Sequence, residues 1–449
     1  MSPVPPIAEL SVTPAEALID VPRRIAVAGL RPGERVALRS HTVRGPGVTW
    51  EATAEFVASA DGTVDLARDA PVAGSYQGVS AMGLLWSQVP QGGRAPREVF
   101  AAEPSAALHT TVSVERQGGG PVLTAELTQW LTAPGVTRRE VREGGLVGTL
   151  FTPPPRADGL SPPVVVVLNG SGGGINEPRA ALYASHGCAA LALGYFKAPG
   201  LPDHISNTRL EYFERALEWV HHTLRPHGGR VVLSGQSRGG ELVLLLASMF
   251  PQWVSAVIAY VPGAVVHSAQ NACDPALGPD SRNGPAWLYR GQALPHLWEN
   301  NRTATWQPWD EGPEPRRHAH ALLTALQDTQ AVERAAIAVE RIAGPVMLLS
   351  ASDDGSWPSS LYSRMVVDRL ARHGHPHAVE HLDFDGAGHS IVFPFVPTTQ
   401  LVYAHPVSGR RSTTGGAPAH NARADAESWP AVCAFLDRHV MPSPAHSSL

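Results

Sequence analysis

Cysteine is scarce in this chain. Three thiols in 449 residues, Cys188, Cys273 and Cys433, are odd in number and far apart. They form neither a disulfide framework nor the paired spacing of a zinc site, and they read as reduced thiols in a reducing compartment. Lysine is scarcer still: Lys197 is the only one, and every other basic side chain is arginine. Together with abundant Ala, Gly and Pro, this bias has the look of a GC-rich bacterial genome and says nothing about chemistry. Neither sign of charge dominates. A formal net charge of −5 gives no field to draw nucleic acid or an anionic membrane. No apolar run approaches the ~18 residues that span a bilayer. Met1 to Pro14 has neither a basic n-region nor an apolar h-region, so no secretory leader is expected. The tail Ser447-Ser448-Leu449 lacks the lysine of a peroxisomal Ser-Lys-Leu address and is taken as coincidence. The expectation is a cytoplasmic protein without membrane insertion or a nucleic-acid partner.

What is present describes a globular chain. Hydrophobic residues at 43% and charged residues at 17% can fill a core and exclude a disordered polymer. The 449 residues exceed the ~250–300 at which a single core stops growing, so two domains are expected, 1-138 and 139-449. In the first, Arg24–Leu30, Val36–Val43, Trp50–Ala58, Thr63–Ala67, Thr110–Glu115 and Val122–Trp130 are short, often alternating segments. Turn signals such as Arg31-Pro32-Gly33, Gly45-Pro46-Gly47 and Asp61-Gly62 separate them. This is the pattern of an immunoglobulin-like all-β sandwich.

The character changes after Pro134. Gly148–Phe151 followed by Pro153-Pro154-Pro155 reads as an edge strand and its turn. Apolar strands at Val164–Leu168, Ala189–Leu193, Val231–Ser234, Val257–Val261 and Val346–Leu349, and a last one at Ala378–Phe384, then alternate with helical patterns. Such alternation predicts right-handed crossovers and a doubly wound, mostly parallel sheet of the α/β class. From about 262 to 316 it breaks down into an Asn-, Pro- and Gly-rich stretch carrying Trp287, Trp298, Trp306 and Trp309. The tryptophans favour a packed, lid-like insertion over a floppy linker.

Chemistry concentrates at Gly235-Gln236-Ser237-Arg238-Gly239-Gly240, set between the strand at Val231–Ser234 and a helix whose Leu242, Leu245, Leu246 and Met249 share one face. Gly-x-Ser-x-Gly between a strand and a helix is the nucleophile elbow of an α/β-hydrolase. The turn leaves no room for flanking side chains, lifts the Ser237 hydroxyl above the sheet, and aims a helix N-terminus at the reacting carbonyl. A serine nucleophile needs a histidine base and an acid to orient it, in the chain order Ser, Asp or Glu, His. After the strand Val346–Leu349 comes Asp353-Asp354; after Ala378–Phe384 comes Gly386-Ala387-Gly388-His389. Either aspartate could serve as the acid. For the oxyanion hole, one donor is the Arg238 amide. The second is expected from the glycine-rich loop Asn169 to Gly174, at Ser171 or Gly172. No Gly-Lys-Ser/Thr follows that loop, which argues against nucleotide binding. The histidines at 373, 375, 377 and 381 straddle a helix end and a strand without a carboxylate pattern, so no metal and no cofactor is expected.

Further residues extend the pattern over nearly the whole chain: Arg24 to Leu30, Met82-Gly83-Leu84-Leu85-Trp86, Gly172-Gly173-Gly174 with Glu177 and Arg179, and Leu210-Glu211-Tyr212-Phe213. To these add Gly239-Gly240-Glu241-Leu242, Asp353-Asp354 with Trp357, Gly388-His389, and Gly415-Gly416 with Pro418, His420 and Trp429. In these features the chain resembles the type I acyl-CoA thioesterases and their relatives, the bile acid-CoA:amino acid N-acyltransferases. The resemblance implies a β-sandwich followed by an α/β-hydrolase domain, and cleavage of an acyl-CoA substrate through an acyl-enzyme. It maps the nucleophile onto Ser237, the base onto His389 and the acid onto Asp354, which keeps the family spacing to Trp357. It also implies that the transferases carry cysteine in the elbow and the hydrolases serine, as here. Arg179, Lys197 and Trp357 are the substrate-binding candidates; Arg179 and Lys197 leave strands at the catalytic edge, to meet CoA phosphates or simply to face solvent. An acyltransferase using an amine or alcohol acceptor, and an ester or lactone hydrolase that ignores CoA, are the alternatives.

Overall fold

Alternation of side chains over the first 130 residues resolves into two sheets. The computed structural model describes residues 7–45, 47–93, 100, 103–117, 119–309 and 315–441. Pro46, part of the lid-like insertion (310–314) and the Ser447–Leu449 tail lie outside the described residues. One sheet pairs Glu9–Thr13, Arg24–Ala28 and Val64–Asp65. The other is built on the long hairpin Arg35–Arg44 and Val48–Val57, flanked by Leu108–Arg116 and Leu123–Trp130. Ile25, Val27, Val36, Leu38, Phe56, Val112, Val114 and Leu127 fill the space between them. The inward row of the hairpin turns polar at Ser40, Thr42 and Arg44, and Gln88 reconciles it. Gln88 donates to Ser40 Oγ (3.1 Å) and Thr42 Oγ1 (2.9 Å) and accepts from Arg44 Nε (3.2 Å), so these buried side chains each find a partner, although Arg44 Nη1 has none among the described residues.

This N-terminal unit is not one stretch of chain. By contacts it comprises Met1–Ala133 together with Val392–Leu401 and Ala417–Trp429; the second unit comprises Pro134–Ile391, Val402–Gly416 and Pro430–Leu449. The sequence reading places a single cut near residue 138. The two later segments join the first unit through long-range bonds that no local pattern announces. Val392 N donates to Asp425 Oδ1 (2.6 Å), Thr399 Oγ1 to Gln88 O (2.6 Å), and Trp429 Nε1 to Asp20 Oδ2 (2.9 Å).

The second unit is an eight-stranded sheet. In chain order its strands are β1 Thr137–Val141, β2 Val147–Thr152, β3 Val164–Leu168, β4 Ala189–Gly194, β5 Val231–Gln236, β6 Ala256–Tyr260, β7 Val346–Ala351 and β8 Val379–Phe384. Their spatial order is β1-β2-β4-β3-β5-β6-β7-β8. β2 runs antiparallel to β1 and β4, and every later pairing is parallel. Helices α1 Glu177–Ser185, α2 Glu211–Trp219, α3 Arg238–Met249 and α4 Ser359–Arg372 cross between strands. This is an α/β-hydrolase sheet. One strand escapes the sequence reading: Gly148–Phe151 is not an edge, because Thr-Arg-Arg-Glu-Val at 137–141 pairs outside it with four of its five residues exposed. A charged outermost strand carries no apolar signal, and the charge guards the edge against further pairing. α3 is buried on all sides from Arg238 to Ser248, not along one stripe. The insertion after β6 packs onto the same core through Val265, Val266, Trp287, Leu297 and Trp298.

Candidate active site

The turn between β5 and α3 leaves Ser237 at φ 59°, ψ −119°, a region that L-residues occupy only under constraint. Neighbouring backbones enforce it. A Cβ on Gly235 would lie 2.1 Å from Gly239 O, and one on Gly239 would lie 2.4 Å from Leu168 O at the end of β3. Ser237 N donates to Tyr260 O (2.9 Å), tying the turn to β6. The strain is thereby held by three strands of the sheet, and the hydroxyl stands at the carboxyl edge where α/β folds bind ligands.

At that edge the structure brings together the residues the sequence reading nominates. Ser237 Oγ lies 2.7 Å from His389 Nε2, and His389 Nδ1 lies 2.8 Å from Asp354 Oδ2. Of the two aspartates, Asp354 is the one against the histidine. Its other oxygen, Oδ1, accepts from the amides of Ser356 (2.8 Å) and Trp357 (3.1 Å). Asp353 turns away, with Oδ1 on Arg317 Nη2 (2.6 Å) and Oδ2 accepting from Gly416 N (3.0 Å). Histidine and acid are nearly dry, His389 and Asp354 each being 5% exposed. His389 N donates to Thr414 O (2.8 Å), which anchors its loop. The hydrogen-bond pattern sets the tautomer: the Nδ1 proton goes to the carboxylate, and Nε2 accepts from the serine hydroxyl.

The glycine-rich loop after β3 closes beside the serine. A Cβ on Gly170 would sit 3.3 Å from Ser237 Cβ. The loop is braced by Asn169, whose Oδ1 accepts from Gly170 N (3.0 Å) and whose Nδ2 donates to Gly173 O (2.6 Å), and by Tyr195 Oη donating to Asn169 O (2.7 Å). Among the described residues the amides of Ser171 and Gly172 make no hydrogen bond. Arg238 opens α3, so its amide is one of the four a helix leaves without an internal acceptor. Ser171, Ser237, Arg238, His389 and Trp357 line one cavity, together with Gln270, Asn271 and Trp306 from the insertion, His318, Leu322, Ser356, Tyr403 and His405.

Two of the three substrate-binding candidates stand elsewhere. Arg179 is 3% exposed; it donates to Tyr260 Oη (3.2 Å) and lies 4.5 Å from that ring's centre. Its position in the first turn of α1 lets the long side chain fold inward, so a phosphate in solvent cannot reach it. Lys197 is exposed, but its ammonium donates to Pro406 O and it does not line the cavity. Trp357 does line it: its ring meets His389 edge-on at 5.8 Å, and its Nε1 donates to Val261 O (2.7 Å). Among the described residues no three His, Cys, Asp or Glu side chains are grouped to hold a metal.

Behind the elbow lies a buried polar cluster that the sequence reading does not contain. Glu241 accepts from Arg238 (2.9 Å), His267 Nδ1 (2.8 Å) and Trp287 Nε1 (3.0 Å), and His267 Nε2 faces Tyr362 Oη at 2.8 Å. Burial pushes the Glu241 carboxyl up, but Arg238 and His267 outweigh it and hold the group below its ordinary range. Burial holds His267 below the ordinary histidine range despite Glu241. A neutral His267 then donates from Nδ1 and accepts from the tyrosine. Its ring stacks on Trp357 at 4.9 Å, so the cluster braces the indole that borders His389. The signal available in sequence was Glu241 within the elbow's own helix; the other members come from distant loops.

Residues 208–442 match the family profile "BAAT / Acyl-CoA thioester hydrolase C terminal", and residues 20–143 match "Acyl-CoA thioester hydrolase/BAAT N-terminal region". The chain belongs to this family. Among relatives of this acyl-CoA thioester hydrolase/BAAT family member, mouse acyl-coenzyme A thioesterase 6 is 32% identical over 444 residues, covering 96% of this chain and 97% of the relative. Mouse mitochondrial acyl-coenzyme A thioesterase 2 is 31% identical, covering 96% and 90%. Mouse peroxisomal succinyl-coenzyme A thioesterase is 29% identical, covering 96% and 97%. Ser237, Asp354 and His389 all fall within the matched C-terminal region. Among the described residues no helix is long and apolar enough to cross a membrane.

Proposed function

We propose that this family member is a serine acyl-CoA thioesterase, releasing free acid and CoA through an acyl-enzyme on Ser237, and that it works in the cytoplasm. The observation that carries the reading is the continuous bond path from Ser237 Oγ through His389 to the Asp354 carboxylate, at 2.7 and 2.8 Å, on a strained elbow. Ser237 Oγ attacks the thioester carbonyl as its proton passes to His389 Nε2. The carbonyl oxygen becomes an oxyanion beside the amides of Arg238 and of Ser171 or Gly172. The C–S bond breaks, and His389 returns the proton to the departing thiolate. Water then gives a proton to the same nitrogen as it attacks the ester, and on collapse the proton goes back to Ser237 Oγ. Asp354 holds the imidazole in the tautomer both half-reactions need. Serine in the elbow supports hydrolysis over transfer, because an oxygen ester lacks the reactivity toward amines of the thioester a cysteine would form.

The test is release of free CoA from short, long, branched and aromatic acyl-CoAs by the wild type and by Ser237→Ala. The reading expects release that disappears in the variant. If the wild type releases no CoA from any thioester yet its Ser237 still reacts with a fluorophosphonate, the substrate is an ester or an acceptor is required, and the thioesterase reading falls.

A further inference from the structure

The cavity holds a second serine–histidine pair. Ser171 Oγ lies 3.0 Å from His405 Nε2, and both residues border the cavity beside Ser237. The pair resembles a nucleophile and its base, but its bonding excludes that role. His405 Nδ1 accepts from the amides of Val407 (3.2 Å) and Ser408 (3.4 Å). A ring nitrogen that accepts backbone N–H groups carries no proton, so the proton of the neutral ring resides on Nε2. Nε2 therefore donates, and Ser171 Oγ accepts. The imidazole cannot withdraw the serine's proton; it fixes the oxygen and leaves the hydroxyl hydrogen to another acceptor. Among the described residues nothing else bonds to that hydroxyl.

We infer that the Ser171 hydroxyl is a side-chain donor to the developing oxyanion, added to the backbone amides, and that His405 is the positioning residue that turns it into the cavity. The inference rests on the acyl-enzyme reading of this site and extends it. Ser171 belongs to the loop whose Gly170 abuts Ser237, and it lines the same cavity as Ser237, where a carbonyl attacked by the serine must place its oxygen. His405 is 4% exposed and its own turn is closed by Gly409 N on His405 O (2.8 Å) and His405 N on Arg410 O (2.8 Å). The donor is thus held in place before substrate arrives, which is what makes such groups effective.

Ser171→Thr and Ser171→Val are the decisive pair, because their shapes match and only one has a hydroxyl. Both are assayed on an acyl-CoA and on a p-nitrophenyl ester, with thermal unfolding as a check on folding. The expected result is kcat within a few-fold of wild type for Ser171→Thr and a loss of roughly 10²-fold for Ser171→Val, with KM little changed on either substrate, as for removal of one oxyanion donor. His405→Ala should lower kcat in the wild type and add nothing in the Ser171→Val background. If Ser171→Val turns over within threefold of Ser171→Thr while Ser237→Ala is dead, the inference is wrong and the acyl-enzyme reading stands. If His405→Ala costs as much in the Ser171→Val background as in the wild type, His405 acts by another route and its assigned role falls. A folded wild type that turns over neither substrate removes the reading and the inference together.

Discussion

Replacing Asp354 with asparagine changes two atoms' chemistry and almost no volume, and the surroundings decide which way the new amide faces. Asp354 Oδ1 takes two backbone N–H bonds, from Ser356 and Trp357, while Oδ2 takes one from His389 Nδ1. An asparagine cannot satisfy all three as the carboxylate does. With its carbonyl toward the two amides, its NH₂ points at His389. Reversed, the NH₂ would face two donors and forfeit two hydrogen bonds of about 1 kcal/mol each, besides leaving buried N–H groups unpaired at about 1–3 kcal/mol apiece. The first orientation prevails by several kcal/mol. His389 Nδ1 must then accept, its proton moves to Nε2, and the nitrogen facing Ser237 Oγ can no longer take a proton. The expected loss in kcat is about 10³–10⁴-fold, or roughly 4–5.5 kcal/mol, with unfolding midpoint little changed. Saturating acyl-CoA and a thiol-release assay read it directly. Asp353→Asn is the control: its carboxylate serves Arg317 and Gly416 and is half exposed, so kcat should stay within about threefold of wild type. Retention of more than a tenth of kcat by Asp354→Asn, or an equal fall in Asp353→Asn, would refute the reasoning.

Two further outcomes follow from packing and charge. Gly239→Ala places a methyl 2.4 Å from Leu168 O and 2.7 Å from Asn169 O, so urea unfolding should show a loss of about 3 kcal/mol or more; an unshifted midpoint would mean the elbow is looser than described. Burial holds His267, His296, His375 and His381 all below the ordinary histidine range. The unfolded chain therefore binds protons that the folded chain refuses. Their contribution to stability is complete above pH ~6.5 and is lost as pH falls below it. Urea midpoints should drop between pH 7.5 and 5.5, before most carboxylates titrate; a midpoint that holds or rises across that interval would contradict this.

Legibility in the sequence followed the range of the forces involved. Val164–Leu168 announces itself because a buried parallel strand must be apolar on both faces, and the elbow because its turn forbids side chains at 235 and 239. Thr137–Val141 stays hidden, since its register comes from pairing with Val147–Thr152 and its composition from its exposed position. Asp353 and Asp354 are indistinguishable in a string; a bond to His389 Nδ1 separates them. Arg179 misleads for a related reason: an arginine at a helix start suits a phosphate, yet the hydroxyl and ring of Tyr260, three strands away in the sequence, draw it inward. His405 carried no signal of its own, being one loop histidine among 20.

The chain's path has a consequence for any attempt to recombine this protein. It crosses into the N-terminal unit at Val392, almost immediately after His389, returns at Val402 to supply Thr414, and crosses again at Ala417. Phe393, Val396 and Trp429 are buried on those excursions. A fragment ending at residue 133 would lack the side chains that finish its interior, and one beginning at 134 would display them to solvent. Neither unit is portable alone: a chimera that exchanges the sandwich with a relative's must exchange all three segments, and the two later ones flank the loop that holds the histidine's backbone.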